Sequence, residues 1–457
     1  MISDNIVKKP MGSRVRVTLA AIILAVVSVL VWGCVTNPIT GQSQFSFVGK
    51  SQLLALSREA VPSQLSADYG VVNDTALNAY VSQVGRKLLA TLKPTDVVYP
   101  DMPFSFQVVN AVYVNAYAFP DGTIAVTRGM MVEMESEAQL AAVLGHEIAH
   151  VNCGHTASAI SKSTVYDALV SGTAGYLASK GSSWADLAGK AGQLGSAVVL
   201  ASYSREQERQ ADQGGMDYMV RAGYDPQGMV DLMKLLVRLG GSNPSALEQM
   251  FSSHPMSTER LQAAQERVSS QYAGVNRGAD GRDAYLAATA GLRKNKEALK
   301  LFEKSEQNLA RKQHAAAKSA AEQGLRIAPN DYVGLMLVAL AAQQGGNIAA
   351  AQQAAALAAR VKTDNARAQS VLAQCALQQK NYAVALQHLN AFERQVPGES
   401  HTAFYKGMAY DGMGQKTQAI QAYQGYLRRA GAGSAQGRYA MQRVQQLAPP
   451  ATQAQTR

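Results

Sequence analysis

The chain has 457 residues, of which 17% are charged, and a formal net charge of +10 at pH 7. That length is too great for one compact core and calls for two or three domains. The cations are scattered, with no long basic run carrying interleaved aromatics, which argues against nucleic acid as a partner and for a solvated, mildly basic surface.

At the amino terminus, Lys8, Lys9, Arg14 and Arg16 precede the apolar run VTLAAIILAVVSVLVWG, the charge pattern of a secretory signal. The run ends at Gly33-Cys34, and a cysteine after a small residue at that place resembles a bacterial lipoprotein processing site. Val31 and Trp32 depart from the residues usual there. Residues 1–33 are read as a signal peptide and Cys34 as a lipidated residue that ties the chain to a membrane. An uncleaved anchor and a simple cleavage are the alternatives, since about 17 apolar residues just reach spanning length. Each of these places the rest of the chain outside the cytoplasm. Cys153 and Cys375 could form one bridge there or stay buried as thiols.

Residues 34–49, which include VTNPITGQSQ, read as a polar tether. Helical spacing follows at 51–59 and 74–92. In the second, Leu77, Val81, Val84 and Leu88 share a face behind an Asp74 N-cap. The runs FSFQVV, AVYVNAYAF and TIAVTRG are β-type, and the turn PDG separates the last two, so a small antiparallel sheet is expected. AQLAAVLGHEIAHV continues at helical period behind a capping box of Ser136 and Gln139, with Gly154 as its stop. Residues 161–201, rich in Gly, Ala and Ser, read as loosely packed helices or a mobile cover. A firmer helix is expected over about 194–221. Asp225 caps the next helix and Pro226 opens it. SSHPMS lies in a loop, and TERLQAAQERV is helical.

Beyond a linker at 273–297 the pattern changes. Ala317, Ala351, Ala385 and Ala419 recur every 34 residues, and Pro329 and Pro397 stand at twice that spacing. This is the period of a tetratricopeptide repeat. Gly407, Tyr410, Ala419 and Tyr423 fall where such a unit wants its small and large packing residues. Residues 298–447 are expected to form an all-α repeat solenoid, and 448–457 a disordered tail. The class expected is α+β: a mostly helical first domain at 50–272 with a small sheet, then the solenoid.

The chemistry concentrates in LGHEIAHVNCGH, Leu144 to His155. His146 and His150 are four apart on one helix, so both imidazoles stand on one face and can grip one ion. Glu147 is set to the side, where its carboxylate can take a proton from water activated by that ion without binding the ion itself. A third ligand is required. Glu208 suits that place, and Asp212, four residues on, suits an acceptor that holds a ligand histidine in its tautomer. Other donors stay open. Cys153 shares the face of the motif and would close a structural site. His155 reads as a packing or hydrogen-bonding residue. His254 is either an ordinary loop histidine, a transition-state donor, or a fourth and inhibitory ligand.

GHEIAH, then SREQERQAD, then SHP with Arg260 six residues after His254, resemble the zinc metallopeptidase family of the CAAX prenyl endopeptidases and HtpX-type proteases. The likeness covers about 51–268 and includes NAYAFPDGTIAVTRG. It implies a gluzincin-like metallopeptidase domain with Zn²⁺ on His146, His150 and Glu208, Glu147 as general base and Asp212 behind the ligands. His254 and Arg260 fall on motif positions near the active site. The lipoprotein-like start and the repeats resemble a periplasmic branch that assists or polices outer-membrane β-barrel assembly. That branch implies a periplasmic location, anchored to the outer membrane by the lipid. With no spanning segment after residue 33, a prenyl-protein substrate is disfavoured. The expected function is a zinc endopeptidase acting on unfolded or misassembled proteins, with repeats that recruit the substrate or the outer-membrane assembly machinery. The alternative is a repeat-based chaperone or scaffold with a silent or latched metal site. The intact Glu147 favours the enzyme. Residues 112–119 are the candidate edge strand for an extended substrate.

Overall fold

The computed structural model describes residues 34–170, 202–242, 247–275, 278, 280–364 and 366–448. The readings of 1–33 as a signal, of 171–201 as a cover and of 449–457 as a tail lie outside the described residues. No helix among the described residues is long and apolar enough to cross a membrane.

Residues 34–49 are not a free tether. They form an antiparallel hairpin of β1 (Cys34–Thr36) and β2 (Ser43–Phe45). The reason is local. Asn37 Oδ1 accepts from the backbone N–H groups of Ile39 and Thr40, at 2.9 and 3.1 Å, which turns the chain back on itself.

Helix α1 (Lys50–Ala67) is followed by α2 (Thr75–Leu89), whose N-cap Asp74 accepts from Leu77 N at 2.9 Å. α2 buries Leu77, Val81, Val84 and Leu88 against a three-stranded sheet of β3 (Ser105–Val109), β4 (Ala116–Ala118) and β5 (Thr123–Thr127). The sheet is mixed, which corrects the antiparallel expectation. The order is β3-β5-β4, with β4 antiparallel and β3 parallel to β5. TIAVT is buried at every position and takes the centre, so β3 is left to pair on its far side in the parallel sense.

The chain then enters α3 (Arg128–Glu133), α4 (Glu137–Asn152) and α5 (His155–Val170). Gly154 turns the corner between α4 and α5 at φ +64°, a conformation side chains resist. Next come α6 (Arg205–Arg221), α7 (Gln227–Ser242), α8 (Glu248–Ser253) and α9 (Thr258–Ser269). The helix expected from about 194 begins at Arg205 instead. Ser204 and Gln207 cap it reciprocally, at 3.3 and 3.0 Å.

α4 is buried from Ala138 to Asn152, in one core with α2, the sheet, α6 and α7. It crosses α6 at glycine. A Cβ on Gly215 would lie 2.9 Å from His146 N, and one on Gly145 would lie 3.0 Å from Gly215 O. The crossing therefore brings the backbones closer than side chains allow.

Residues 273–297 are not a simple linker. They contain α10 (Arg282–Lys294), whose Tyr285 is fully buried and donates to Met131 O at 2.6 Å. Helix pairs follow: α11 (Lys296–Ala310) with α12 (His314–Ile327), α13 (Tyr332–Gln344) with α14 (Ile348–Val361), α15 (Ala366–Gln378) with α16 (Tyr382–Gln395), and α17 (Ser400–Gly412) with α18 (Lys416–Ala430). Helix α19 (Ala435–Leu447) closes the array. The second helices begin at His314, Ile348, Tyr382 and Lys416, a spacing of 34. The fourth residue of each is the periodic alanine, with no exposed surface. In the last pair the Tyr423 ring fills the space over Gly407.

The array is docked on the first domain through buried polar contacts. Arg128 reaches Asp331 through its two terminal guanidinium nitrogens, at 2.7 and 3.3 Å. Asp331 also caps α13 by accepting from Val333 N and Gly334 N. Lys362 Nζ donates to Val71 O at 2.7 Å, and Tyr69 Oη to Glu306 at 2.9 Å.

Gly215→Ala should lower stability by about 1–3 kcal/mol through overpacking of the α4–α6 crossing. Urea denaturation beside the unaltered chain is the measurement, with a smaller effect expected for Gly241→Ala, where the added Cβ meets open space.

Candidate metal centre

Two helices position the site. Ser136 Oγ caps α4 by accepting from Gln139 N at 3.2 Å, and nothing interrupts the helix before its C-cap at Cys153. The face of α4 that carries His146 and His150 meets the face of α6 that carries Glu208 and Asp212. All four side chains are buried, Glu208 completely. Their neighbours Glu206 and Arg209 point outward and pair with each other. The charged run in α6 is therefore divided between a solvated face and a buried one.

His146 Nε2 and His150 Nε2 stand 3.0 Å apart. Glu208 Oε1 is 3.3 Å from His150 Nε2, and Glu208 Oε2 is 3.6 Å from His146 Nε2. His254, at the C-cap of α8, joins them. Its Nδ1 is 3.3 Å from His146 Nε2 and 3.0 Å from Glu208 Oε1. The donor atoms of His146, His150, Glu208 and His254 lie within 4.8 Å of one another, the one such group among the described residues.

This set fits a divalent cation on three counts. Ring nitrogens this near to one another and to a carboxylate need a proton or a cation between them, and one cation serves all of them at once. Two ligand nitrogens at about 2.0–2.1 Å from a tetrahedral zinc would be about 3.3 Å apart, close to the separations present. Around them, the carboxylates of Glu147, Glu208 and Asp212 face one guanidinium, that of Arg260, so the buried set holds more acid than base.

Behind the donors lies an ion-paired layer. His146 Nδ1 is 3.0 Å from Asp212 Oδ1. Arg260 Nε and Nη2 each donate to Asp212 at 2.7 Å, and Nη1 is 2.6 Å from Glu208 Oε2. Burial pushes the Asp212 carboxyl up, and Arg260 and His146 more than reverse this, so it titrates below its ordinary range. Burial likewise raises Glu208, and His254, His150 and His146 hold it well below the usual value. Burial pushes the His150 imidazole well down. It acts in the same sense on His254, where Glu208 and Glu147 reverse it and raise the ring above its ordinary value.

Glu147 stands beside the donors and not among them. Its Oε1 is 3.7 Å from His254 Nε2, and its Oε2 is buried with no hydrogen-bond partner among the described residues. Ala116, Val143, His146, Glu147, Met250 and His254 help line a narrow cleft of about 30 Å³, room for a water or two and not for a peptide. Ala116 belongs to β4, which among the described residues pairs on one side only and is an edge of the sheet. Within residues 112–119 only Ala116–Ala118 is a strand.

Cys153 lies outside the donor group, which removes the closed site through its thiol. Burial pushes that thiol up to about 12. Cys153 and Cys375 are buried and not bridged. His155 is a hydrogen-bonding residue, with Nδ1 2.9 Å from His150 Nδ1. Tyr203 was not singled out in the sequence. Its ring stacks on His150 at 3.9 Å and 30°, and its N–H donates to Ser253 O, next to His254. An aromatic residue just before the α6 N-cap was the only signal it offered.

The comparisons fall on the same segment. Residues 63–268 match the model of peptidase family M48. A beta-barrel assembly-enhancing protease of Yersinia pestis is 28% identical over 293 residues, 62% of this chain and 59% of its own length. The metalloprotease YcaL of Escherichia coli (strain K12) is 29% identical over 215 residues, 46% of this chain and 80% of its own. The metalloprotease LoiP of the same strain is 31% identical over 170 residues, 36% of this chain and 64% of its own. The chain thus spans less than two thirds of the length of the Yersinia relative.

Arg260→Ala leaves the carboxylates of Asp212 and Glu208 buried without their cation. It should lower the stability of the metal-free chain by about 3–5 kcal/mol. Urea denaturation in a chelator measures this, and Arg260→Lys, which keeps the charge and loses the fork, should fall between.

Proposed function

We propose, from the match of residues 63–268 to the model of peptidase family M48, that this segment is a metallopeptidase domain and the chain a zinc-dependent endopeptidase of the bacterial envelope. Its substrates are unfolded or misassembled proteins, those of the outer membrane first among them. The observation that carries this reading is the convergence of His146, His150 and Glu208 beside a carboxylate, Glu147, that has one oxygen buried and unpartnered. A binding protein has no use for such a base.

In this reading His146, His150 and Glu208 hold Zn²⁺. When bound, the ion supplies a Lewis acid that acidifies water and polarises the scissile carbonyl. Glu147 takes the proton from the attacking water and hands it to the leaving amide nitrogen. Asp212 accepts from His146 Nδ1, which leaves the Nε2 lone pair facing the ion. Arg260 keeps Asp212 and Glu208 ionised in a site with little water to do so. An extended substrate pairs with the open side of β4, beside the cleft that Ala116 lines.

The repeats take the role of recruiting substrate or partner, and the outer-membrane assembly machinery is the partner proposed. One relative bears the name of β-barrel assembly, which supports this. Cys34 is exposed at the start of β1, as a lipid attachment requires, and the proposed location is the periplasm with the lipid in the outer membrane.

His254 supports a second reading, a site latched shut. Its Nδ1 occupies the donor set where water and substrate must enter, and the cleft beside it is too small for a peptide. A chaperone or scaffold with a silent site is the limit of that reading.

The test uses purified full-length chain and a reduced, unfolded protein. We expect one zinc per chain, lost in Glu208→Ala. Glu147→Gln should keep zinc and substrate binding and lose about 10²–10⁴-fold in cleavage rate. No loss in Glu147→Gln would sink the enzyme reading. If only His254→Ala cleaves, the latch is the resting state.

A further inference from the structure

The mechanism above gives His146 a partner for its outer nitrogen and leaves that of His150 to be accounted for. His150 Nδ1 faces His155 Nδ1 at 2.9 Å, with the two rings at 76°. His155 is the first residue of α5, placed back toward α4 by the turn at Gly154, and it has no exposed surface. Its other nitrogen, Nε2, is 2.9 Å from Gln210 Oε1. Gln210 Oε1 also accepts from Asn37 Nδ2 at 2.8 Å.

The direction of every proton in this chain follows from two backbone amides. Ile39 N–H and Thr40 N–H can only donate, and both donate to Asn37 Oδ1. Asn37 therefore turns its NH₂ group to Gln210, which must answer with its carbonyl oxygen. Gln210 Nε2 in turn points to Glu206 Oε1 at 3.2 Å, which agrees. Facing an acceptor, His155 carries its proton on Nε2 and is bare on Nδ1. Facing a bare nitrogen, His150 carries its proton on Nδ1, and its Nε2 lone pair is left for the donor group.

We propose that His155 is a positioning residue for the metal centre, the end of a relay Asn37–Gln210–His155 that fixes the tautomer and tilt of His150. The relay begins three residues after Cys34. The hairpin next to the proposed lipid is thereby part of the support of a zinc ligand. The inference rests on the zinc reading, and its own test includes a readout that needs no zinc.

Zinc affinity is measured by competition with a chromophoric chelator, on the full chain and its variants. His155→Ala should bind zinc about 10–100-fold more weakly, the usual effect of losing such a partner. His155→Asn places an amide oxygen near the lost Nδ1 and should recover most of that loss. Asn37→Asp cannot donate, so Gln210 must present its NH₂ group and the relay runs backwards. It should bind zinc more weakly than Asn37→Ala, which only leaves a gap. Cobalt substitution should show an altered visible spectrum in His155→Ala and a near-normal one in His155→Asn. Equal affinity in His155→Ala and the unaltered chain overturns the relay. So do equal losses in His155→Ala and His155→Asn. In the metal-free chain, ring-nitrogen NMR should find His155 protonated on Nε2 and His150 on Nδ1. The opposite tautomers overturn the relay even if the chain binds no zinc, the result that would instead remove the enzyme reading.

Discussion

The closeness of α4 and α6 is the constraint on which the site depends. At Gly145 and Gly215 the two backbones meet with no room for a Cβ between them. Side chains of ordinary length then reach across: Glu208 to the rings of His146 and His150, and Asp212 to the back of His146. A helix pair held apart by a methyl group at that crossing would part these atoms by more than metal coordination tolerates, since ligand distances are fixed to within about 0.2 Å. Packing at a place with no chemistry thus decides whether the chemistry exists.

Around this crossing the molecule accepts a costly burial of charge. Glu208, Asp212, Glu147 and Arg260 all lie inside. One guanidinium spans two of the carboxylates, which offsets part of their desolvation. The remainder is met by histidine protons or by a cation. A buried ion pair of this kind is weak support for stability. It gives strong support to a fixed geometry, because each partner is left stranded if the other moves.

The parts of the fold that repeat locally were legible in the sequence. The period of 34 placed the second helix of each pair and its buried alanine, because each unit solves the same packing problem with the same residue. The helical spacing of His146, Glu147 and His150, and of Glu208 and Asp212, put each set on one face. The parts that depend on distant partners were not legible. The sense of β3 is fixed by which strand takes the centre of the sheet. The segment at 34–49 looked like a tether because its polar side chains are also anchored on distant partners, Asn37 on α6 and Gln44 on the end of α4. A helix at 282–294 hid behind a Gly-rich approach, although Tyr285 is buried as deeply as any core residue. Tyr203 acts through His150 and Ser253, about 50 positions away on either side, a distance over which periodicity carries no information, and Arg260 was placed near the site by the family resemblance and not by any spacing.

The join between the two halves has a consequence of its own. Arg128 with Asp331, Lys362 with Val71, and Tyr285 with Met131 are buried links spread along one seam between the parts. Such a seam works as a jig. It holds the helical array and the cleft at one offset and one angle. Under the function proposed above, choice among clients would then fall to their shape and reach, how far a slack segment extends from the gripped portion, more than to the residues flanking the bond.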